Sequence, residues 1–196
     1  MKKKIILIGS GGHAASSIDV IESTNKFKIC GIISEENKIG QKFLGYKILS
    51  NLENINKVKK ITKNLLIAFG NIYDCRKRDE IFKKLKKKKF IFQTIISPKS
   101  YISKRSIIKS GTIVMHGAIV NSQTKIGENC IINSNSLIEH DCKLGNNCHV
   151  STAATLNGGV KIGKNSFIGS RAVIRENIII KDNSFIKMGH VVTKNR

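Results

Sequence analysis

The stretch IGENCIINSNSLIEHDCKLGNNCHV, residues 126–150, decides the fold. It opens on Ile126, and Ile132, Ile138, Leu144 and Val150 follow at intervals of six. The beat extends in both directions without a slip. Upstream lie Ile102, Ile108, Val114 and Val120; downstream lie Leu156, Ile162, Ile168, Ile174, Ile180, Ile186 and Val192. A period of six matches neither the 3.6 of a helix nor the 2 of an ordinary strand. It is the period of a parallel β-helix assembled from hexapeptide repeats. Four residues after each aliphatic the chain is mostly small, as at Ala118, Thr124, Cys130, Ser136, Cys142, Cys148, Ala154, Ser166 and Ala172. A narrow triangular prism explains this, because a large side chain at one inward position leaves room only for a small one at the other. Gly127, Gly145, Gly163 and Gly169 directly follow their aliphatics, and Asn133 and Asn157 take the same slot. Corners that demand positive φ are expected there. Three hexads close one coil of eighteen residues, so the sixteen aliphatics from Ile102 to Val192 give about five coils.

The first half reads differently. Residues 4–8 form a buried strand, followed by Gly9-Ser10-Gly11-Gly12-His13 and a helix over about 14–23. Strands follow at about 28–34 and 65–69, then a Lys-rich helix over about 73–87 and a strand over 90–95. Alternating strands and helices make a small Rossmann-like parallel α/β unit. The expected division is an α/β domain over 1–97 and the β-helix over 98–196. Gly9 and Gly11 match the first two glycines of a dinucleotide fingerprint, but Ala14 stands where the third belongs, and no acidic residue is well placed about 20 positions on. What remains is a close backbone approach with free N–H groups at a helix N-terminus, suited to a phosphate or another polar ligand, with His13 at its mouth. A tight turn without a ligand is the alternative.

Composition narrows the rest. No apolar run approaches a membrane span, and the stretch after Met1 is too short for a signal peptide, so a cytoplasmic protein is expected. The five cysteines show no CxxC pair, and Cys130, Cys142 and Cys148 are accounted for as small inward residues, so no metal site is expected. The net charge of +22 admits a nucleic-acid face, a solvated Lys-rich surface, or a field that draws in anionic small molecules. Aromatic residues for stacking bases are scarce and no nucleic-acid motif is present, which favours small anions such as a nucleotide-sugar or coenzyme A.

Candidate chemistry concentrates in residues 133–149, where Asn133, Glu139, His140, Asp141 and His149 fall inside one coil. His is the side chain best suited to act as a base near neutral pH, and Asp141 can orient it. Eighteen residues beyond His140 stands Gly158, whose backbone N–H can donate to an oxyanion beside the base.

These segments carry a resemblance to a known family. The chain resembles the hexapeptide acyltransferases that acetylate bacterial sugars, in the branch holding N-acetyltransferases of UDP-4-amino-sugars and sialic acid O-acetyltransferases. The resemblance rests on ILIGSGGH at 6–13, AFGN at 68–71, NSNSLIEHD at 133–141, HVS at 149–151 and the GGVKIG run from 158. It implies a left-handed β-helix and transfer of acetyl from acetyl-CoA to a UDP-linked 4-amino-sugar in glycan biosynthesis. His140 would be the general base, Asp141 would increase its basicity, Gly158 would hold the oxyanion and Asn133 the sugar. His149, Ser170 and Met188 would line the acetyl-CoA groove, and Gly11, Gly12, His13 and Gly70 the nucleotide-sugar pocket. A homotrimer with active sites shared between subunits is implied as well. Two features depart from the pattern: Ser34-Glu35-Glu36 stands where an acidic pair often grips the nucleotide, and the chain ends without the usual GVPA-type tail. O-acetylation of a sialic-acid-like sugar is the rival within the class. A non-catalytic β-helix that binds a metabolite or scaffolds a complex is the rival outside it.

Overall fold

The computed structural model describes residues 1–70 and 76–196. The chain separates into two compact units. One comprises residues 1–70 and 81–93, and the other takes in 94–196 together with residues up to Glu80. The last residue of the AFGN motif, Asn71, and the expected start of the Lys-rich helix at Tyr73 lie outside the described residues.

The first unit is a six-stranded sheet. Its strands are β1 (Lys3–Ile8), β2 (Phe27–Ile33), β3 (Lys42–Phe43), β4 (Tyr46–Ser50), β5 (Asn64–Ile67) and β6 (Ile91–Phe92), in the order β3-β4-β2-β1-β5-β6. All pairings are parallel except β3 with β4. The run Ile5-Ile6-Leu7-Ile8 is buried on both faces, as a central parallel strand should be. Helix α1 (Gly12–Thr24) buries Ala14, Ile18 and Ile21, and ends where Asn25 adopts φ 55°. The hairpin β3–β4 and a 3-10 helix at Ile55–Lys60 have no counterpart in the sequence reading. The strand expected over 90–95 is two elements: Ile91–Phe92 pairs with β5, while Ile95–Ile96 is the first rung of the β-helix.

The second unit is a parallel β-helix with three faces. The first face stacks Ile95–Ile96, Ile113–Val114, Ile131–Ile132, His149–Val150, Phe167–Ile168 and Phe185–Ile186. The second runs from Tyr101–Ile102 to Val191–Val192 in six strands, and the third from Ile107–Ile108 to Ile179–Ile180 in five. Every registered pair is eighteen residues apart, as with Ile131 and His149 or Leu137 and Thr155. The aliphatic series forms the prism core, with Val114, Val120, Ile132, Ile138, Val150, Leu156, Ile168 and Ile174 fully buried. The small inward slot also settles hydrogen bonds. Thr112 and Thr124 donate to the carbonyls of Gly127 and Glu139, and Cys130, Cys142 and Cys148 use their thiols on Gly145, Asn157 and Gly163. Each reaches fifteen residues ahead, so Cys, Ser and Thr are interchangeable there. Burial pushes the Cys142 thiol up to about 11, which keeps it protonated as a donor.

The corners correct one expectation. From Ile108 to Ile186, positive φ falls three residues after each aliphatic, at Gln123, Asn129, Asn135, Asp141, Asn147, Gly159, Asn165 and their equivalents. It does not fall at the glycines that directly follow the aliphatics. Those glycines answer a close approach instead: a Cβ on Gly145 would lie 2.6 Å from the backbone N of Lys164 in the next coil.

Candidate active site

His140 and Asp141 occupy the corner between Leu137–Ile138 on the second face and Lys143–Leu144 on the third. Asp141 takes the left-handed corner conformation, φ 61°, which short polar side chains tolerate best after glycine. That turn brings its carboxylate against the neighbouring imidazole, with His140 Nδ1 and Asp141 Oδ2 2.8 Å apart. A carboxylate only accepts, so the proton of this bond sits on Nδ1 and leaves a lone pair on Nε2. Both side chains are more than half exposed, 62% and 53%.

The adjacent coil supplies the floor. The Gly159 N–H donates to the His140 carbonyl at 2.9 Å, which fixes the two corners one above the other. The imidazole lies against Gly158: a Cβ at that position would be 2.7 Å from Cε1 and 2.8 Å from Nε2 of His140. Glycine at 158 is what lets the ring occupy this place, because the ring fills the space a side chain would take. The N–H two residues after each aliphatic is left out of the inter-coil ladder. Side chains of Asn146, Asn133 and Asp182 accept it at Glu128, Ser134 and Lys164. At Gly158 no partner takes it among the described residues. One corner therefore carries a base lone pair, a carboxylate behind the base and an open N–H donor.

Asn133 and His149 sit elsewhere. Asn133 follows Ile131–Ile132 at the corner between the first and second faces, and His149 projects outward from the first face beside Val150. Asn133 Nδ2 lies 3.4 Å from His149 Nε2, and Asn133 Oδ1 accepts the Ser134 N–H. Ser170 shares the edge, its hydroxyl 2.9 Å from that of Ser151, and Met188 lies fully open one coil further. The structure thus joins His140 with Asp141 and Gly158, and separately Asn133 with His149. One whole face of the prism lies between the two groups. Sequence reasoning missed Phe167 and Phe185, which continue outward from His149 as an aromatic row, 5.0 Å edge-on and then 5.2 Å stacked. The signal was the same eighteen-residue step.

In the first unit, Gly9 carries φ 117° and approaches the Ala68 carbonyl, so the β1–α1 turn is built on backbone contact. Gly11, Gly12 and Gly70 face open space, where a Cβ would meet nothing within 4 Å. His13 is half-buried in the first turn of α1. Ser34 is buried and engaged internally, 2.7 Å from the Ser10 hydroxyl and accepting the N–H groups of Glu36 and Asn37. Glu35 accepts the Leu52 N–H at 2.6 Å. Ser34 and Glu35, at the position where the nucleotide grip is expected, are thus tied to neighbouring loops, Ser34 to the β1–α1 turn and Glu35 to the segment after β4. Among the described residues, no cluster of three His, Cys, Asp or Glu gathers to hold a metal, and no helix is long and apolar enough to cross a membrane.

Comparison with known proteins completes the description. The PglD N-terminal domain matches residues 4–85. The bacterial transferase hexapeptide (six repeats) matches 105–140 and 123–158, and the hexapeptide repeat of succinyl-transferase matches 159–194. No curated protein matches by sequence. Among solved structures, PerB from Caulobacter crescentus in complex with CoA and GDP-perosamine is 26% identical, with a TM-score of 0.91 over 98% of this chain and 89% of that one. The acetyltransferase domain of PglB from Neisseria gonorrhoeae, in complex with acetyl coenzyme A, superposes with a TM-score of 0.90 at 23% identity over 100% and 93%. WeeI from Acinetobacter baumannii gives 0.83 at 24% over 99% and 93%. Fold and repeats define an acetyltransferase of the left-handed β-helix class. More narrowly, the chain resembles the hexapeptide-repeat sugar acetyltransferases, with a PglD-type domain in its first half and hexapeptide repeats in its second.

Proposed function

We propose that this chain transfers acetyl from acetyl-CoA to the 4-amino group of a nucleotide-linked deoxy-amino-sugar, UDP-linked by its family resemblance, for glycan biosynthesis. The observation that carries this reading is the His140 corner, where Nε2 lies against Gly158 and the Gly158 N–H has no partner among the described residues. His140 Nε2 takes the proton from the amine as its nitrogen attacks the thioester carbonyl. The Gly158 N–H receives the oxygen as negative charge develops on it. Asp141 stabilises the imidazolium that forms. His140 then returns the proton to the departing thiolate, so free CoA and an acetamido sugar leave.

Asn133 is assigned to the sugar, and His149, Ser170 and Met188 to acetyl-CoA. Gly11, Gly12, His13 and Gly70 are assigned to the nucleotide. Ser34 and Glu35 contribute to that pocket through the loop they brace. The two polar edges of the prism complete one site only if a neighbouring copy brings its Asn133–His149 edge to this chain's His140 edge, as in a trimer. The second face supports such contact. Its outward residues Tyr101, Ile119 and Val191 are apolar and exposed, with Leu137 and Val173 half-buried between them.

The test is release of CoA from acetyl-CoA with UDP- and GDP-linked 4-amino-sugars offered as acceptors, set against free sialic acids. Turnover with an amino-sugar nucleotide is the expected result. Turnover with sialic acids alone would move the chain to O-acetylation. A second expectation concerns Asp141→Asn. Asparagine keeps the φ 61° corner but replaces a charge-assisted hydrogen bond by a neutral one, worth about 1–1.5 kcal/mol less. The kcat should fall about tenfold with the melting temperature unchanged.

A further inference from the structure

The third face of the prism carries a charge arrangement that acetyl transfer at His140 does not use. Its outward positions read Ile107, Lys125, Lys143, Lys161 and Ile179, one per coil. Lys125 pairs in register with Lys143, and Lys143 with Lys161, so three ammonium groups rise from adjacent strands about 4.8 Å apart. Like charges directly opposite across strands are unfavourable. All three are exposed, and none joins a carboxylate among the described residues, unlike Lys164, which pairs with Asp182. The outward rows of the other two faces carry no lysine and are mostly apolar or aromatic, as with Ile113, Ile131 and Phe167 on the first face.

The ladder is not a flat solvated surface. With Arg105 it lines a cavity of about 450 Å³ whose one acidic lining residue is Asp141. That carboxylate keeps its charge while it accepts from His140, so four cations face the space against one anion. The cavity therefore opens directly beside the proposed base pair. Lysine binds phosphate as a point charge with three donors, and a row at strand spacing suits a group carrying several phosphate charges.

We propose that Lys125, Lys143, Lys161 and Arg105 form a phosphate-binding subsite for a diphosphate-bearing substrate at the His140 corner. The proposal rests on the acetyl-transfer reading for the identity of its ligand, since acetyl-CoA and a sugar nucleotide both carry a diphosphate. It does not rest on that reading for the existence of the site.

The test uses the full chain with Lys125, Lys143 and Lys161 all changed to Gln, and titrates inorganic pyrophosphate by calorimetry at low and high salt. The wild-type protein should bind with an affinity that falls as salt rises. The triple variant should lose about ten- to hundredfold, because it removes charge-assisted hydrogen bonds. Its melting temperature should hold or rise, since like-charge repulsion is relieved; Lys143→Gln alone, with Lys143→Arg as its charge-conserving partner, replaces the triple variant if that does not fold. A control changes Lys60, Lys84 and Lys87 to Gln and should bind like wild type. Undiminished binding in the ladder variant, or equal loss in the control, overturns the proposal in favour of diffuse surface charge. Titrations with CoA and with a UDP- or GDP-sugar then name the ligand by which affinity falls in the ladder variant. A fall in neither means the pyrophosphate was an adventitious ion only, which also overturns it. None of these titrations needs turnover, so a chain that binds through the ladder but acetylates no amino-sugar would defeat the proposed function alone.

Discussion

His140→Ala is expected to lower kcat by about 10²- to 10⁴-fold, the range a positioned general base contributes, while leaving acetyl-CoA binding nearly unchanged. The side chain is 62% exposed and its one hydrogen bond runs to Asp141, so little packing is lost. The backbone bond from Gly159 to the His140 carbonyl survives the change and keeps the two coils in register. The circular dichroism spectrum and melting temperature should therefore match wild type. Some rate should remain, because the Gly158 N–H and the binding of both substrates are left in place. The deleted ring leaves a gap over Gly158, so added imidazole should restore part of the activity. Steady-state kinetics of CoA release at saturating acceptor measure the effect. A kcat within twofold of wild type would remove His140 from the chemistry and favour a binding or scaffolding role.

Much of this was legible before any coordinates. Register was, because a β-helix converts sequence separation into position: a step of eighteen returns to the same place one coil on, as His140 and Gly158 do. The same rule shows why Asn133 and His140, although close in sequence, are not partners within one chain. Seven residues is one hexad plus one, and that moves to the next corner of the prism. The corner conformation was less legible. Glycine after the aliphatic suggested a left-handed φ, but the left-handed residue comes two places later and is most often Asn, then Gly. Both demands select small or flexible residues, and composition alone cannot separate steric crowding by the next coil from backbone twist. The β1–α1 mouth was least legible, since Ser34 is tied to Ser10 by a contact that depends on β1 and β2 lying side by side. The hairpin Lys42–Phe43 with Tyr46–Ser50 escaped because so short a strand cannot display a period.

Gly158→Ala should lower activity while leaving stability close to wild type. The added Cβ would fall 2.7–2.8 Å from the His140 ring, closer than unbonded atoms approach, so something must move. The obstruction is an exposed side chain rather than backbone, and a rotation about χ1 of His140 relieves it at small cost. Gly158 itself does not need a left-handed φ, so alanine imposes no strain there. The ring that swings away leaves Asp141 and takes Nε2 from its place against Gly158. A base displaced by about 1 Å is expected to cost about 10²-fold in kcat, with the melting temperature close to wild type. Gly145→Ala is the informative contrast. Its Cβ would meet the backbone N and Cα of Lys164 at 2.6 and 2.8 Å, and no rotamer can relieve that. The coils must part, breaking the Gly145 N–H bond to the Ile162 carbonyl and loosening the core around Leu144 and Ile162. That variant should lose about 1–3 kcal/mol of stability, the usual cost of overpacking a tight interior. Thermal melts and kinetics on the two variants decide the matter together. If Gly158→Ala keeps full activity, the imidazole does not work from its place over Gly158, and the corner loses its claim to the chemistry.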